Sequence, residues 1–427
     1  MTETIKLDNA TVFQGDNRQI LKTLADNSID SIVTDPPYEL GFMNKGWDKS
    51  GVAYDVELWK ECLRVLKPGG HLLAFGGSRT WHRLAVAVED AGFDIRDSIA
   101  WLYGSGFPKS HNISKAINKL HGVEFESKPA SGVGFMNANN DGYNTTLNQL
   151  KQIGENTPEA DKWDGWGTAL KPAFEPIVVA RKPLIGTVAE NVLEFGTGGI
   201  NIDASRIGNE TISVHNAPKG TFAGGEYDRG SDTDSYREHT DRWPANVILD
   251  ETTAQLLDQQ SGITKTGDIK PYKNGTTNRN VYGEMKYDKT SIHKGDVGGA
   301  SRFFYVAKAS KRDRNEGLEQ LPTKPAGSMA GGEDKRDGKP INHPLRQNFH
   351  PTVKPTVLMQ YLIKLVTPPN GIVLDPFAGS GSTGKAAILD NYQFIGIELT
   401  PEYFPIIEGR LRHAQETLDN KADDLFE

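Results

Sequence analysis

The sequence predicts an α/β fold with a doubly wound, mostly parallel sheet and a large loop-rich insertion. Three observations predict it. Over residues 1–104, short β-branched or apolar runs alternate with amphipathic helical stretches, as in strand–helix–strand units. Residues 346–412 return to the same dense alternation. Between them, 105–345 is rich in Gly, Asn, Ser and Lys, and loops this long inside a domain usually carry function. At 427 residues the chain exceeds one typical core. The dense ends therefore read as halves of one domain, 105–345 as inserted sequence with a core strand returning near 175–182, and 413–427 as an acidic tail that frays.

Composition narrows the function classes. The net charge is -8, which argues against a basic nucleic-acid coat and leaves only a local patch for such contacts. The 45 glycines and a mean hydropathy of -0.52 agree with much loop. Cys62 is the one cysteine, which excludes a disulfide framework and a cysteine zinc site; its amphipathic helical surroundings make it a buried structural thiol. The first residues carry no apolar signal region and no run approaches a membrane span, so a soluble, cytoplasmic protein is expected.

Taken in order, residues 11–16 end a short strand and 18–24 form a helical turn or two. Ile29-Asp30-Ser31-Ile32-Val33 is the next strand, and Pro36 and Pro37 stop it, each with a fixed φ and no N–H for a ladder. A residue before proline is kept out of the helical region, so Asp35 is extended. Thr34-Asp35-Pro36-Pro37-Tyr38 is then a stiff turn presenting a carboxylate, carbonyls and one ring at a strand's carboxyl end, where open α/β sheets bind ligands. A Gly-bearing loop over 39–47 follows that could close over a ligand. A helix through Val65 ends at Lys67-Pro68-Gly69-Gly70, His71-Leu72-Leu73-Ala74-Phe75 is a buried strand, 78–89 a helix and 93–103 a strand.

Residues 175–182 restore one strand beyond the break, and strand-like islands stand at 243–249 and 302–307 amid polar, glycine-bearing turns. Arg302, Lys308, Lys311, Arg312 and Arg314 face only Asp313 over 302–314, a solvated face or a phosphate-tracking patch for DNA. In the last dense segment, 359–366 is a helix ended by Pro368-Pro369-Asn370-Gly371. Ile372-Val373-Leu374-Asp375 is a buried strand, 382–389 a helix and 394–398 another strand.

Asp375-Pro376-Phe377-Ala378-Gly379-Ser380-Gly381-Ser382-Thr383-Gly384-Lys385 reads as a strand end, a glycine turn and a helix start. Gly379, Gly381 and Gly384 fit the dinucleotide fingerprint. Gly379 to Lys385 also fits the start of a phosphate loop, but Ala386 stands where that loop needs a magnesium-binding hydroxyl. The third reading is S-adenosylmethionine, with small residues admitting its methionine part and Glu398, about twenty residues on, taking the ribose hydroxyls. The Asp-Pro-Pro-Tyr turn favours this reading over NAD, because it has a use in methyl transfer and none in hydride transfer.

With Asp35-Pro36-Pro37-Tyr38, the 375–381 loop and His350-Pro351-Thr352-Val353-Lys354-Pro355, the chain resembles amino-group DNA methyltransferases. The catalytic turn comes first and the cofactor loop last, as in the circularly permuted β group; 67–71 and 171–176 are similar to stretches of its solitary or phage-type members. The resemblance covers both ends well and the middle poorly. It implies a sheet of the S-adenosylmethionine-dependent methyltransferase type, with 105–345 for target recognition. Asp16 would face the cofactor adenine, unless it is simply a helix N-cap. His350, Thr352 and Lys354 would flank the methionine part, Lys354 near its carboxylate, with Asp375, Phe377, Ala378, Gly379, Ser380 and Gly381 forming the cradle.

The chemistry that follows is methyl transfer to adenine N6 in double-stranded DNA, whether in a restriction-modification pair or alone. Asp35 and the Pro36 carbonyl each accept an amino hydrogen, localising the nitrogen lone pair, and Pro37 keeps the turn rigid. Stacking hides N6 in a duplex, so the base must be flipped out, with Tyr38 as platform and Trp101 or Trp47 facing it. N4-cytosine methylation uses the same chemistry, though such members more often carry Ser in place of Asp35. A homodimer stays open as a further partner, and an NAD-dependent oxidoreductase is the alternative from a different class.

Overall fold

The computed structural model describes residues 3–40, 50–106, 110–123, 125–129, 148–152, 155–216, 235–265, 272–276, 286–289, 296–308, 310, 312–325, 335–336, 339–340 and 345–423. Most of the 39–47 loop, with Trp47, and Lys311 lie outside them. Two compact units result, Met1–Gly104 with Phe174–Glu427, and Ser105–Ala173.

The first unit is built on one ten-stranded sheet. Its strands are β1 (Thr4–Lys6), β2 (Ala10–Gln14), β3 (Ile29–Thr34), β4 (Leu66–Phe75), β5 (Asp94–Leu102), β6 (Phe174–Arg181), β7 (Val247–Asp250), β8 (Tyr305–Ala307), β9 (Ile372–Asp375) and β10 (Gln393–Glu398). The spatial order is β1-β2-β10-β9-β3-β4-β6-β5-β7-β8. Neighbours run parallel except at edge strand β1 and on both sides of β6. Strands from the far end of the chain sit between β2 and β3, so Gln14 pairs with Glu398 and Ile32 with Leu374. That register puts the Asp35 turn next to the glycine loop.

The described helices include α1 (Asn17–Ile20), α2 (Val56–Val65), α3 (Trp81–Asp90), α4 (Ile113–Leu120), α5 (Val188–Phe195), α6 (Glu251–Ser261), α7 (Thr356–Val366), α8 (Ser382–Leu389) and α9 (Phe404–Asp423), besides a single turn at Pro158–Asp161. Period-two alternation splits the central strands between two cores. Val33, Leu73, Phe75 and Val373 pack with residues of α7, α8 and α9. Ile32, Leu72, Ala74 and Leu374 pack on the other face with residues of α2 and α3. Because β3 is buried from end to end, its polar side chains are paired: Asp30 with Lys67 at 2.6 Å and the Ile372 N–H at 2.7 Å, and Ser31 with Thr367 at 2.7 Å.

Several expectations need correction. Lys67-Pro68-Gly69-Gly70 is part of β4, since Gly69 and Gly70 exchange backbone bonds with Lys182 and a register irregularity absorbs the turn. Residues 183–345 hold α5 and α6, both side-chain capped, by Thr187 with Glu190 and by Asp250. β6, β7 and β8 return to the sheet, so the portion of 105–345 that stands as its own unit is 105–173. The tail does not fray at Gln415: Ile407, Leu411, Ala414 and Leu418 form one apolar stripe that carries α9 to Asp423.

Within the smaller unit, Asn112 caps α4, and buried Asn118 joins it to Asn156 at 2.8 Å. Trp163 and Trp166 meet edge to face at 5.2 Å there, both exposed. No described helix is long and apolar enough to cross a membrane.

Candidate active site

At the carboxyl edge of β9 the chain turns through Gly379 (φ 56°) and Gly381 (φ 75°), left-handed positions that favour glycine. A Cβ on Gly379 would lie 3.1 Å from His350 Nε2, and one on Gly384 2.5 Å from the Phe394 ring. The loop therefore exposes bare backbone while α8 packs tightly on β10.

Side chains hold this loop from behind. The Asp375 carboxylate accepts from Thr34 Oγ1 (2.6 Å), Thr383 Oγ1 (2.6 Å) and the Phe377 N–H (3.0 Å), tying the ends of β3 and β9 to α8. Arg410 is fully buried and donates from Nη1 to the Ser380 carbonyl (2.8 Å) and to the Ser380 and Ser382 hydroxyls (3.0 Å each). Lys385 is paired with Asp313 and Glu316, each at 2.8 Å, so it faces the interior and not a phosphate.

Glu398 accepts from the Gly379 N–H at 2.7 Å and the Thr400 N–H at 2.8 Å. Burial pushes its carboxyl up to about 7, and that of Asp375 to about 6. Asp16 does cap α1, accepting from the Arg18 N–H at 2.9 Å, and it also pairs with the Arg18 guanidinium at 2.6 Å. Its neighbours bind the loop region: the Gly15 N–H donates to the Glu398 carbonyl and Asn17 Nδ2 to that of Pro376. Asp16, Glu398 and the glycines thus share one edge.

His350 is buried over this loop, edge-on to Tyr403 at 4.5 Å. Its Nδ1 lies 2.9 Å from the Thr352 carbonyl, which can only accept, so Nδ1 carries the proton and Nε2 turns a lone pair toward Gly379. Burial pushes its pKa down to about 3, and the ring is neutral. Thr352 contributes that carbonyl, and its side chain is exposed.

One strand over, the turn after β3 is held by Thr80, whose hydroxyl donates to the Tyr38 carbonyl at 2.8 Å. Asp35 Oδ2 is 2.7 Å from Lys354 Nζ, which also lies 3.2 Å from Glu175. The Tyr38 hydroxyl donates to Glu175 at 2.7 Å and accepts from Lys354 at 3.1 Å. Lys354 therefore spends its ammonium on two protein carboxylates, where the resemblance set it beside a cofactor carboxylate. Burial works against that ammonium, but Asp35 and Glu175 raise its pKa above the ordinary value. Burial raises Asp35 too, with Lys354 opposing. Asp35 Oδ1 is buried and has no partner among the described residues.

Trp101 stands in the adjoining wall, edge-on to Phe75 at 6.3 Å and beside Tyr103 at 5.4 Å. Cys62 is fully buried and its thiol is pushed well up, so it is no nucleophile.

Sequence reading missed Glu175 and Arg410. Glu175 lies at the amino end of β6, and only because β6 runs antiparallel does that end reach the carboxyl edge of its neighbours. Arg410 acts through the packing of α9 and leaves no local motif. Of the expected basic patch, Arg302 is taken up by Asp296 at 2.9 Å and by the Gly298 and Gly299 carbonyls at 2.7 Å. Arg314 is engaged by the Asn348 and His350 carbonyls, and burial pushes it down to about 10. Lys308 and Arg312 are exposed.

Comparison with known proteins agrees with this geometry. YubD of Escherichia coli (strain K12) is 41% identical over 113 residues, 26% of this chain and 45% of that protein. The DNA adenine methyltransferase YhdJ of the same organism is 52% identical over 62 residues, 14% of this chain and 21% of that protein. The chain thus spans less than half the length of either. The type II methyltransferase M.HinfI of Haemophilus influenzae is 24% identical over 254 residues, 51% of this chain and 68% of that protein. A family model for DNA methylases of the N6/N4 type matches residues 29–409, which include the Asp35 turn, Lys354 and the glycine loop. The chain belongs to that N6/N4 DNA methylase family.

Proposed function

We propose that the protein is a DNA methyltransferase of the circularly permuted β group, moving a methyl group from S-adenosylmethionine to N6 of an adenine flipped out of duplex DNA. The observation that carries this reading is the buried Asp35 Oδ1, which has no partner among the described residues, beside a glycine cradle. A buried carboxylate oxygen without a donor is costly unless a ligand supplies one, and an exocyclic amine is such a donor.

The residues present fit the cofactor. Bare backbone at Gly379, Ser380 and Gly381, with Phe377 and Ala378, would admit its methionine part beside His350 and Thr352. Glu398 would take the ribose, and Asp16 would lie by the adenine. When bound, the cofactor supplies an electrophilic methyl group on a sulfonium. The protein's own task is to make the amine a nucleophile. Asp35 Oδ1 accepts one amino hydrogen and the Pro36 carbonyl the other, and both are fixed before the base arrives. Tyr38 stacks on the base. The 62-residue match to an adenine methyltransferase and the Asp at position 35 support adenine over cytosine.

Incubation with methyl-labelled S-adenosylmethionine and DNA, followed by separation of the nucleosides, tests this. Label in N6-methyladenine is expected. Label in N4-methylcytosine moves the assignment to cytosine, and no label in DNA despite cofactor binding overturns it.

A further inference from the structure

We propose that Glu175 is a positioning residue that, acting through Lys354, leaves the reaction centre with one net negative charge where methyl transfer deposits a positive one. This rests on the methyl-transfer reading above.

The cluster holds two carboxylates, Asp35 and Glu175, each within hydrogen-bonding distance of one ammonium, Lys354. Among the described residues, the groups around it add no cation. Tyr38 is neutral, its pKa raised well above the ordinary value by burial and then by Asp35 and Glu175. Tyr103, pushed up to about 12, and His350, pushed down to about 3, are neutral as well. Asp375, which Asp35 also raises, is already tied to Thr34 and Thr383. A site that only bound a neutral base would need no such excess. One carboxylate with one ammonium would cancel, and a second buried charge is expensive.

Methyl transfer does need it. The amine lone pair forms the N–C bond while the C–S electron pair stays on sulfur. The nitrogen then carries a full positive charge until one of its protons leaves to Asp35 or water. Glu175 draws on the same ammonium as Asp35, so Asp35 is only half neutralised, and its Oδ1 has no partner among the described residues. Lys354 in turn prevents the two carboxylates from sharing a proton, as close buried pairs otherwise do.

The test uses the full chain and the variants Glu175→Gln, Lys354→Met and the two combined. Glu175→Gln should keep cofactor affinity but lose roughly 10²–10³-fold in single-turnover rate, the size of a lost preorganised electrostatic contact. Its acidic pH limb should not move up. Lys354→Met should shift that limb to higher pH, because unpaired carboxylates hold a shared proton, and adding Glu175→Gln should reverse the shift. Cofactor-free thermal unfolding gives a second readout. A carboxyl raised in the folded state adds stability at low pH that is lost as pH rises through its folded value. Asp35, Asp375 and Glu398 already contribute such a loss in the wild type. Lys354→Met should enlarge it, and the double variant should bring it back toward the wild-type size. A Glu175→Gln enzyme with the wild-type rate and pH profile, or a Lys354→Met protein with neither shift, overturns the proposal. If the wild type methylates no DNA, the functional reading fails, and the unfolding series alone decides the charge cluster.

Discussion

Three neighbouring strand ends carry carboxylates, and the two sides of the site treat them in opposite ways. After β9 and β10, Asp375 and Glu398 are filled by hydroxyls and backbone N–H groups. After β3, Asp35 has one oxygen on a lysine and, among the described residues, no partner for the other. A carboxylate with both oxygens held by the protein can shape a cradle and still accept on its remaining lone pairs. One with a spare buried acceptor can do work on an incoming donor. In the glycine-loop half the carboxylates are held on both oxygens by the protein, and the Asp35 half, among the described residues, leaves one oxygen for an incoming donor.

The largest expected effect breaks the second half alone. Asp35→Ala should lower single-turnover methylation by about 10³-fold or more, in line with loss of a preorganised polar contact plus orientation. Cofactor affinity by calorimetry should stay within a few-fold, because Asp35 makes no bond to the glycine loop. An equal loss of cofactor binding would show that the halves are not separable.

Arg410→Met breaks the first half. It withdraws a buried cation from Ser380 and Ser382 and from Asp313, 3.7 Å from Nη2. Removing one partner of a buried charged network costs about 3–5 kcal/mol, so urea unfolding should show a loss of that order. Cofactor affinity should fall with it. Intact affinity in a destabilised variant would mean that Arg410 supports α9 and not the loop.

What could be read from the sequence divides along the same line. The stiff Asp-Pro-Pro-Tyr turn and the glycine spacing are local chemistry: proline ends a strand wherever it stands, and φ near +56° and +75° favours glycine. The parallel core followed from short apolar runs alternating with helical stretches. Glu175 opens the strand read at 175–182 and carries no local site signal, since its place depends on β6 running against its neighbours. The basic run at 302–314 misled because charge in sequence does not show whether an arginine is spent on carbonyls, as Arg302 and Arg314 are. The helix α5 was announced by the capping pair Thr187 and Glu190, but the surrounding glycines made the region read as loop.

A pH series sharpens the cradle further. If ribose hydroxyls donate to Glu398, only its ionised form serves them, and its carboxyl sits at about 7 in the free protein. Binding should then pull the carboxyl down, and cofactor affinity should rise with pH from about 6 to 8, by at most tenfold per unit. Glu398→Gln should flatten that dependence. A wild-type profile that is already flat would shift the ribose contact to Asp16.

The smallest effect separates the two jobs of Tyr38. Tyr38→Phe keeps the ring and removes only the hydroxyl that bonds Glu175 and Lys354. Loss of such a bond costs about 0.5–1.5 kcal/mol, so the rate should fall by roughly tenfold or less. Tyr38→Ala also removes the platform, and base–aromatic stacking is worth about 1–3 kcal/mol, so it should lose clearly more. Fluorescence of 2-aminopurine at the target position should report an extruded base in the Phe variant and a poorly held one in the Ala variant. If the two variants behave alike, the hydroxyl network and not the ring carries the role of Tyr38. The open half of the site would then be electrostatic throughout, with the base held from elsewhere.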